Sequence, residues 1–258
     1  MLIQLIDANN VLRRHFETGS PIRTVVPLLS PVNTFRIWVF DGPGALEARR
    51  AIYPGYKVKR DRETPRISGA YQFMDTVRED LLPHCESTSI LRVSGWEADD
   101  LIAALAPRCG EAVEIHSNDG DFLQVCNPPR IVMSTPPKLA GQVDPEDIHL
   151  YKTLVGDSSD NIPGLRLFGD KAWDALNATT KALWVQFLEG DNNLKPSLLG
   201  SLKPAQKKWV GEEDGWEQLR RFWKITGFLP VPEEVLKQTK VSRFSRDEYE
   251  RTCRQFMW

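Results

Sequence analysis

The sequence predicts an α/β fold, a mainly parallel sheet flanked by helices and followed by a helical module, and three observations carry that reading. Short apolar segments recur through the first half of the chain with helix-length stretches between them, the rhythm of a parallel sheet covered by helices. Several of these segments run directly into an acid or a Gly/Pro break. Near residue 146 the strand rhythm stops and short helical stretches with brief loops take over.

Residues 2–6, LIQLI, are the first strand and end at Asp7. Residues 35–40, FRIWVF, are the second; they end at Asp41, where Gly42, Pro43 and Gly44 break the chain. Between the second and third strands a helix over 69–82 places Tyr71, Phe73, Met74, Val77, Leu81 and Leu82 near one face. SILRV at 89–93 is the third strand, and an Ala-rich helix follows at 97–106. AVEIHS at 112–117 is the fourth and runs into Asn118-Asp119-Gly120-Asp121; RIVMST at 130–135 is a weaker fifth. Helices are then expected at 146–155, 170–177, 180–188, 204–210 and 216–224, with Trp173, Trp184, Trp209, Trp216 and Trp223 supplying apolar bulk. Residues 237–258 alternate charges without a clean apolar face and read as either a docked helix or a tail.

An apolar fraction of 41% can supply a sizeable core, and 26% charged residues do not mark a disordered chain. Cys85, Cys109, Cys126 and Cys253 form no close pair, and the histidines are only His15, His84, His116 and His149. That spacing excludes a zinc cage and a disulfide framework, and points to reduced cysteines. With no signal-like start and no run of 18 apolar residues, a soluble cytoplasmic protein without a membrane partner is expected.

The chemistry lies in where the acids fall. Asp7, Asp41, Asp119 and Asp121 follow strands, and strand C-termini form the functional edge of an open parallel sheet. Glu97, Asp99 and Asp100 sit in a first helical turn, with Glu97 and Asp100 roughly on one face. Asp157 and Asp160 sit in GDSSDN ahead of the helical module. Taken singly, each has a plain reading: first-turn acids suit the helix dipole, and DGD is a solvated turn. Gathered together, nine carboxylates repel unless cations compensate them. Mg²⁺ prefers oxygen ligands and phosphate substrates, and two such ions roughly 4 Å apart suit phosphodiester hydrolysis.

A basic stretch complements them. Residues 49–66 carry Arg49, Arg50, Lys57, Lys59, Arg60, Arg62 and Arg66 against only Asp61 and Glu63, whereas 95–121 carry seven acids against Arg108. Such a split draws in a polyanion and holds metal beside it. Tyr53 and Tyr56 offer base-stacking surfaces, or core.

FDGPG at 40–44, YPGYKVKRD at 53–61, GWEADDLIAAL at 95–105, SNDGDFLQ at 117–124 and GDSSDNIPG at 156–164 resemble, in order and spacing over roughly 2–176, the 5'-nuclease family. This family includes the 5'-to-3' exonuclease domains of bacterial DNA polymerases, bacteriophage 5'-exonucleases and flap endonucleases. The resemblance implies a PIN-like nuclease domain over 1–145 with a helical arch near 50–75. It implies a mainly helical duplex-DNA-binding region over 146–258, with a helix-hairpin-helix (H3TH) motif near 150–177. It assigns Asp7, Asp41, Glu97 and Asp99 to a first metal ion and Asp119, Asp121, Asp157 and Asp160 to a second, with Asp100 as an additional acid. Asp7, Asp41, Glu97, Asp99, Asp119, Asp121 and Asp157 count as catalytic with Lys57 and Arg60, which match basic residues at the base of the arch.

Arg14, Arg49, Arg50, Tyr56, Lys59, Arg62, Gly164, Gly169 and Lys171 fall to DNA binding. The implied cofactors are two or more Mg²⁺ or Mn²⁺ ions, with K⁺ at the hairpin. The implied partners are DNA with a 5' end, flap or nick, an RNA–DNA hybrid and a replication protein, for a monomer in the cytoplasm, or the host's if phage-encoded. The expected activity is 5'-to-3' exonuclease and flap endonuclease, with RNA-primer removal. One departure stands out: Leu167 replaces a glycine of the family's second hairpin turn, which puts the turn in question. The alternatives are a PIN-like ribonuclease, a noncatalytic branched-DNA-binding protein and a phosphatase of small substrates. YKVKR together with GDSSDNIPG disfavours the first, retention of Asp41, Asp119 and Asp121 the second, and the basic stretch with its helical module the third.

Overall fold

The computed structural model describes residues 2–19, 33–61, 65–212, 214–243 and 245–256. The chain forms two compact units, one of Met1–Ala45, Arg62–Ala140 and Pro230–Trp258, the other of Leu46–Asp61 and Gly141–Leu229. The expected linear division at residue 145 is therefore corrected at two places. Residues 46–61 fold with the helical unit, because Arg49 donates from Nε to the Ile225 carbonyl and from Nη2 to that of Gly227, both at 3.1 Å. The C-terminal segment folds with the sheet unit, because Lys240–Val241 pairs with the third strand.

The sheet unit holds six strands in the order β5-β4-β1-β2-β3-β6. β1 (Leu2–Asp7), β2 (Thr34–Phe40), β3 (Thr88–Arg92), β4 (Ala112–His116) and β5 (Ile131–Met133) pair in parallel, and β6 (Lys240–Val241) lies antiparallel on β3. Leu5 sits between Ile37 and Ile115 in register. The first five match the strands expected from the sequence. β6, two residues long, is too short to have shown a strand pattern.

Chain order makes the function-bearing edge. From β1 the chain steps outward to β2 and β3, then returns to the far side of β1 for β4. That reversal opens a crevice at the carboxyl ends of β1 and β4, where ligands of such sheets sit.

One face of the sheet is covered by Ala8, Val11 and Leu12 of the helix Ala8–Glu17, and by Ala70, Met74, Val77, Leu81 and Leu82, which pack on Ile6, Trp38 and Phe40. Helix Ala8–Glu17 was not foreseen, since its middle reads as polar; Asp7 starts it by accepting the Asn10 amide at 3.0 Å. The helix expected over 69–82 starts earlier, at Pro65–Thr76, and continues as one π turn, Val77–Leu81. Alternation turns Leu5 and Val39 to the opposite face, where they too are fully buried. Helix Arg246–Phe256 decides the question of the C-terminal segment in favour of docking: Tyr249 packs against the same core.

The helical unit is built around Trp184, Phe187, Leu219 and Phe222, all essentially inaccessible. Phe187 meets Trp216 edge-on at 4.8 Å, and Tyr53 meets Phe222 likewise at 5.3 Å. The second contact seats helix Glu47–Ile52 on helix Gly215–Thr226. The stretch expected as an arch, 50–75, is helical at Glu47–Ile52, Val58–Asp61 and Pro65–Thr76. Residues 62–64 between them lie outside the described residues.

Candidate active site

In the sheet unit, Asp7, Asp41, Glu97, Asp99, Asp100, Asp119 and Asp121 all lie at or just beyond the carboxyl ends of strands. Asp7 is the last residue of β1 and is buried. Its Oδ1 takes the Asn10 amide and its Oδ2 takes the Ser117 hydroxyl at 2.9 Å. Ser117 in turn accepts the Asp119 amide at 3.1 Å, and Asp119 accepts the Asp121 amide at 3.0 Å. One serine thus couples the end of β1 to the loop after β4. Asp41 follows β2; its Oδ1 accepts the Ala98 amide at 2.8 Å and so anchors the helix Ala98–Leu105 that carries Asp99 and Asp100. Asn9 orients Asp41 from the other side by accepting its amide at 3.0 Å. Glu97 and Asp100 are almost wholly buried.

Electrostatics mark Asp7 apart. Burial lifts its carboxyl, the Asn10 bond lowers it, the Asp41 and Asp119 carboxylates lift it further against the Ser117 bond, and the result is about 7 instead of 3.8. A carboxyl raised by burial and by its neighbours' charge is what a divalent cation would relieve. Among the described residues, however, no three His, Cys, Asp or Glu side chains close into a ready cage. Asp7, Asp41 and Asp119 are each tied to a separate amide. Carboxylate oxygen donors suit a hard cation that keeps several waters, so the donor set fits in type and charge.

In the helical unit, Asp157 and Asp160 belong to a loop closed by paired bonds between Asp157 and Ile162, both 2.8 Å. Gly156 and Gly164 take positive φ where the backbone crosses itself; a Cβ on Gly164 would lie 2.6 Å from the Leu154 carbonyl oxygen. Gly164 therefore serves the fold of the loop. Asp157 pairs with Lys152 at 2.8 Å and accepts the Ser159 amide and hydroxyl. Burial lifts its carboxyl, but Lys152 and these bonds outweigh it and hold it at about 2. Lys57 is buried with its Nζ 3.9 Å from Asp160 and 4.8 Å from the Tyr56 ring centroid, and its own amide donates to the Asp160 carbonyl at 2.9 Å. Its backbone stands at φ 51°, a strained setting for a side-chain-bearing residue.

Two residues expected at a DNA surface are corrected. Arg49 is buried and spends its guanidinium on the carbonyls of Ile225 and Gly227. Tyr56 is buried too, beneath Arg49 and Lys57, and offers no ring for stacking on a base. Arg50 is half-buried and donates to the Tyr56 carbonyl at 3.1 Å. Arg14, Lys59, Gly169 and Lys171 are exposed. Arg62 and the side chain of Arg60 lie outside the described residues. Leu167 stands at φ 56°, so the hairpin keeps the left-handed turn that glycine favours. Residues missed from the sequence are Asn9, Asn10, Ser117 and Lys152. The first three adjoin the predicted acids in the chain, which was the available signal; Lys152 lies on the helix preceding the loop and gave none.

The family model for the 5'-3' exonuclease N-terminal resolvase-like domain matches residues 2–150. A 5'-3' exonuclease of Aquifex aeolicus is 33% identical over 159 residues, 57% of this chain and 52% of that protein. The thermostable DNA polymerase I of Thermus aquaticus is 31% identical over 276 residues, 93% of this chain and 30% of the polymerase. The chain thus spans about half the length of the first relative and under a third of the second. In fold it is similar to the bacteriophage T5 D15 flap endonuclease in a pseudo-enzyme–product complex with DNA and metal ions. There the TM-score is 0.59 at 17% identity, covering 99% of this chain and 97% of that one.

Proposed function

The chain belongs to the 5'-3' exonuclease family, and we propose that it is a structure-specific nuclease hydrolysing DNA phosphodiesters at 5' ends, nicks and flaps. The observation that carries this reading is the buried Asp7 carboxyl, raised to about 7 by burial and by Asp41 and Asp119, at the carboxyl edge of the parallel strands. The relatives' own descriptions add support: an exonuclease, a DNA polymerase I, and a flap endonuclease fold bound to DNA and metal ions.

Mg²⁺ or Mn²⁺ is the proposed cofactor, and when bound it would activate water and neutralise charge on the phosphate. Asp7, Asp41, Glu97 and Asp99 are its proposed ligands, direct or through water, with Asp100 behind them; Asp119 and Asp121, which the resemblance gives to a second ion, are proposed with this group because Ser117 links Asp119 to Asp7. Asp157 and Asp160 are proposed ligands of a second ion, which would compete there with Lys152 and Lys57. Lys57 and Arg60 would stabilise phosphate charge in the transition state. Arg14, Lys59 and Arg62 would steer the polyanion, and the hairpin with Gly169 and Lys171 would grip duplex phosphates, with K⁺ beside it, without reading bases. Primer RNA paired to DNA is a further proposed substrate, and the domain roles follow the two units.

The test uses 5'-labelled and 3'-labelled flap, nicked and blunt duplexes with Mg²⁺, Mn²⁺ or EDTA. Metal-dependent release from the 5' side, with little action at a free 3' end, is expected. Degradation of RNA alone, with no duplex cut, would sink the reading in favour of a ribonuclease.

A further inference from the structure

A lysine-bearing helix lies against the hairpin in the helical unit, well past the motifs that carry the family resemblance. In helix Pro204–Glu212 and the residues just before it, Leu202, Gln206 and Val210 form the buried stripe, four residues apart. A glutamine within an apolar stripe needs partners. Gln206 is 3% exposed; its Oε1 accepts the Lys203 amide at 2.8 Å and its Nε2 reaches the Leu167 carbonyl at 3.5 Å. This amide bridge fastens the start of the helix to the hairpin turn. Lys203, Lys207 and Lys208 are all exposed, and no acid falls between 203 and 208. Lys203 stands just before the helix, its carbonyl accepting the Lys207 amide at 2.9 Å, and Lys207 follows within the first turn, next to the buried Gln206. Leu167, whose carbonyl takes Gln206, leaves its side chain 73% exposed, despite a left-handed backbone that costs an L residue free energy.

We propose that the duplex-binding surface extends from the hairpin turn at Leu167 onto this helix, where Lys203 and Lys207 contact phosphates of the DNA duplex. This rests on the nuclease reading and adds a second phosphate-contacting element to it. Gln206 is the positioning residue: it sets the helix against the turn and touches no DNA. Exposed lysines in a stretch without acids match a polyanion of regular spacing, and the contact carries no sequence preference.

Binding of a 5'-flap duplex and of single-stranded DNA is measured by fluorescence anisotropy on the full chain in EDTA, across a salt series. Each lost phosphate contact removes about 0.9 from the slope of log affinity against log salt, so Lys203→Ala/Lys207→Ala should lower the duplex slope by about 1.8. Single-strand binding should hold. In Mg²⁺ the flap KM should rise about tenfold with kcat within about twofold, because the contacts position rather than react. Arg246→Ala/Arg251→Ala, which removes equal charge from the C-terminal helix, should leave the duplex slope in place. An unchanged slope in the lysine variant, or the same fall in the arginine control, would overturn the extension while wild-type flap cleavage keeps the nuclease reading intact. A wild-type chain that neither binds nor cuts duplex DNA would overturn both.

Discussion

Two groups of aspartates, one in each unit, stand in opposite electrostatic states. In the sheet unit, burial lifts the Asp7 carboxyl, the charges of Asp41 and Asp119 add to that lift, and it rises to about 7. In the helical unit, Asp157 is matched by Lys152 and falls to about 2. The same residue type is thus short of positive charge at one place and supplied with it at the other. Acids gathered by the fold for a cation should show the first state; acids already serving the fold show the second. Motif matching alone treats both groups as equivalent ligands, and the difference teaches that their affinities for metal should differ.

The largest expected effect lies in the sheet unit. Asp119→Ala should lower kcat by about 10³-fold, the scale of losing one preorganised electrostatic element of an active site. DNA affinity in EDTA should stay within about twofold, since the truncation removes a carboxylate and leaves the Asp119 amide on the Ser117 hydroxyl. Steady-state and single-turnover assays on a labelled flap check this, and unchanged turnover would remove Asp119 from the site.

The next effect belongs to the helical unit. Lys152→Ala leaves Asp157 without its matching charge, at a cost of about 3 kcal/mol in urea unfolding. Adding Asp157→Asn should recover most of that loss. No recovery would mean that Lys152 supports the fold by packing rather than by pairing.

The pH dependence separates the two groups by sign. Asp7 keeps its proton when folded but ionises near 3.8 when unfolded. Stability in EDTA should therefore fall as pH rises from about 4 to about 7, and a divalent cation should reverse that fall. Asp157, held at about 2 against 3.8, adds stability above pH 4 that is lost as pH falls toward 2. Urea midpoints of wild type against Asp7→Asn and Asp157→Asn across this range isolate each contribution; equal slopes would erase the contrast.

The smallest effect concerns the hairpin turn. Leu167→Gly should stabilise by about 0.5 kcal/mol, the left-handed strain of leucine less the entropy of glycine. Leu167→Ala should change stability little, because alanine keeps the strain and the leucine side chain is exposed. Thermal melts of the two variants compare them directly.

Much of this contrast was legible in the chain itself. The strands, and the acids at their ends, follow from apolar runs that stop at Asp7, Asp41 and Asn118-Asp119, because a parallel sheet brings such ends to one edge. Local pattern does not reveal partners distant in sequence. Nothing around Arg49 announces that its guanidinium will be spent on Ile225 and Gly227, or that this will carry residues 46–61 into the helical unit. Lys152 looked like an ordinary helix lysine until the loop folded back and set Asp157 beside it. Ser117 was readable only as the residue after a strand, although its hydroxyl links Asp7 to Asp119.

The central claim is that Asp7 and Asp41 form the stronger metal site and Asp157 and Asp160 the weaker. Isothermal titration calorimetry with Mn²⁺ at pH 6, on wild type, Asp7→Asn/Asp41→Asn and Asp157→Asn/Asp160→Asn, tests it most directly. The tighter binding step should vanish in the first pair and persist in the second, and in wild type it should release a proton as Asp7 gives up its own. Loss of the tighter step in the second pair, with the first pair unaffected, would contradict the account.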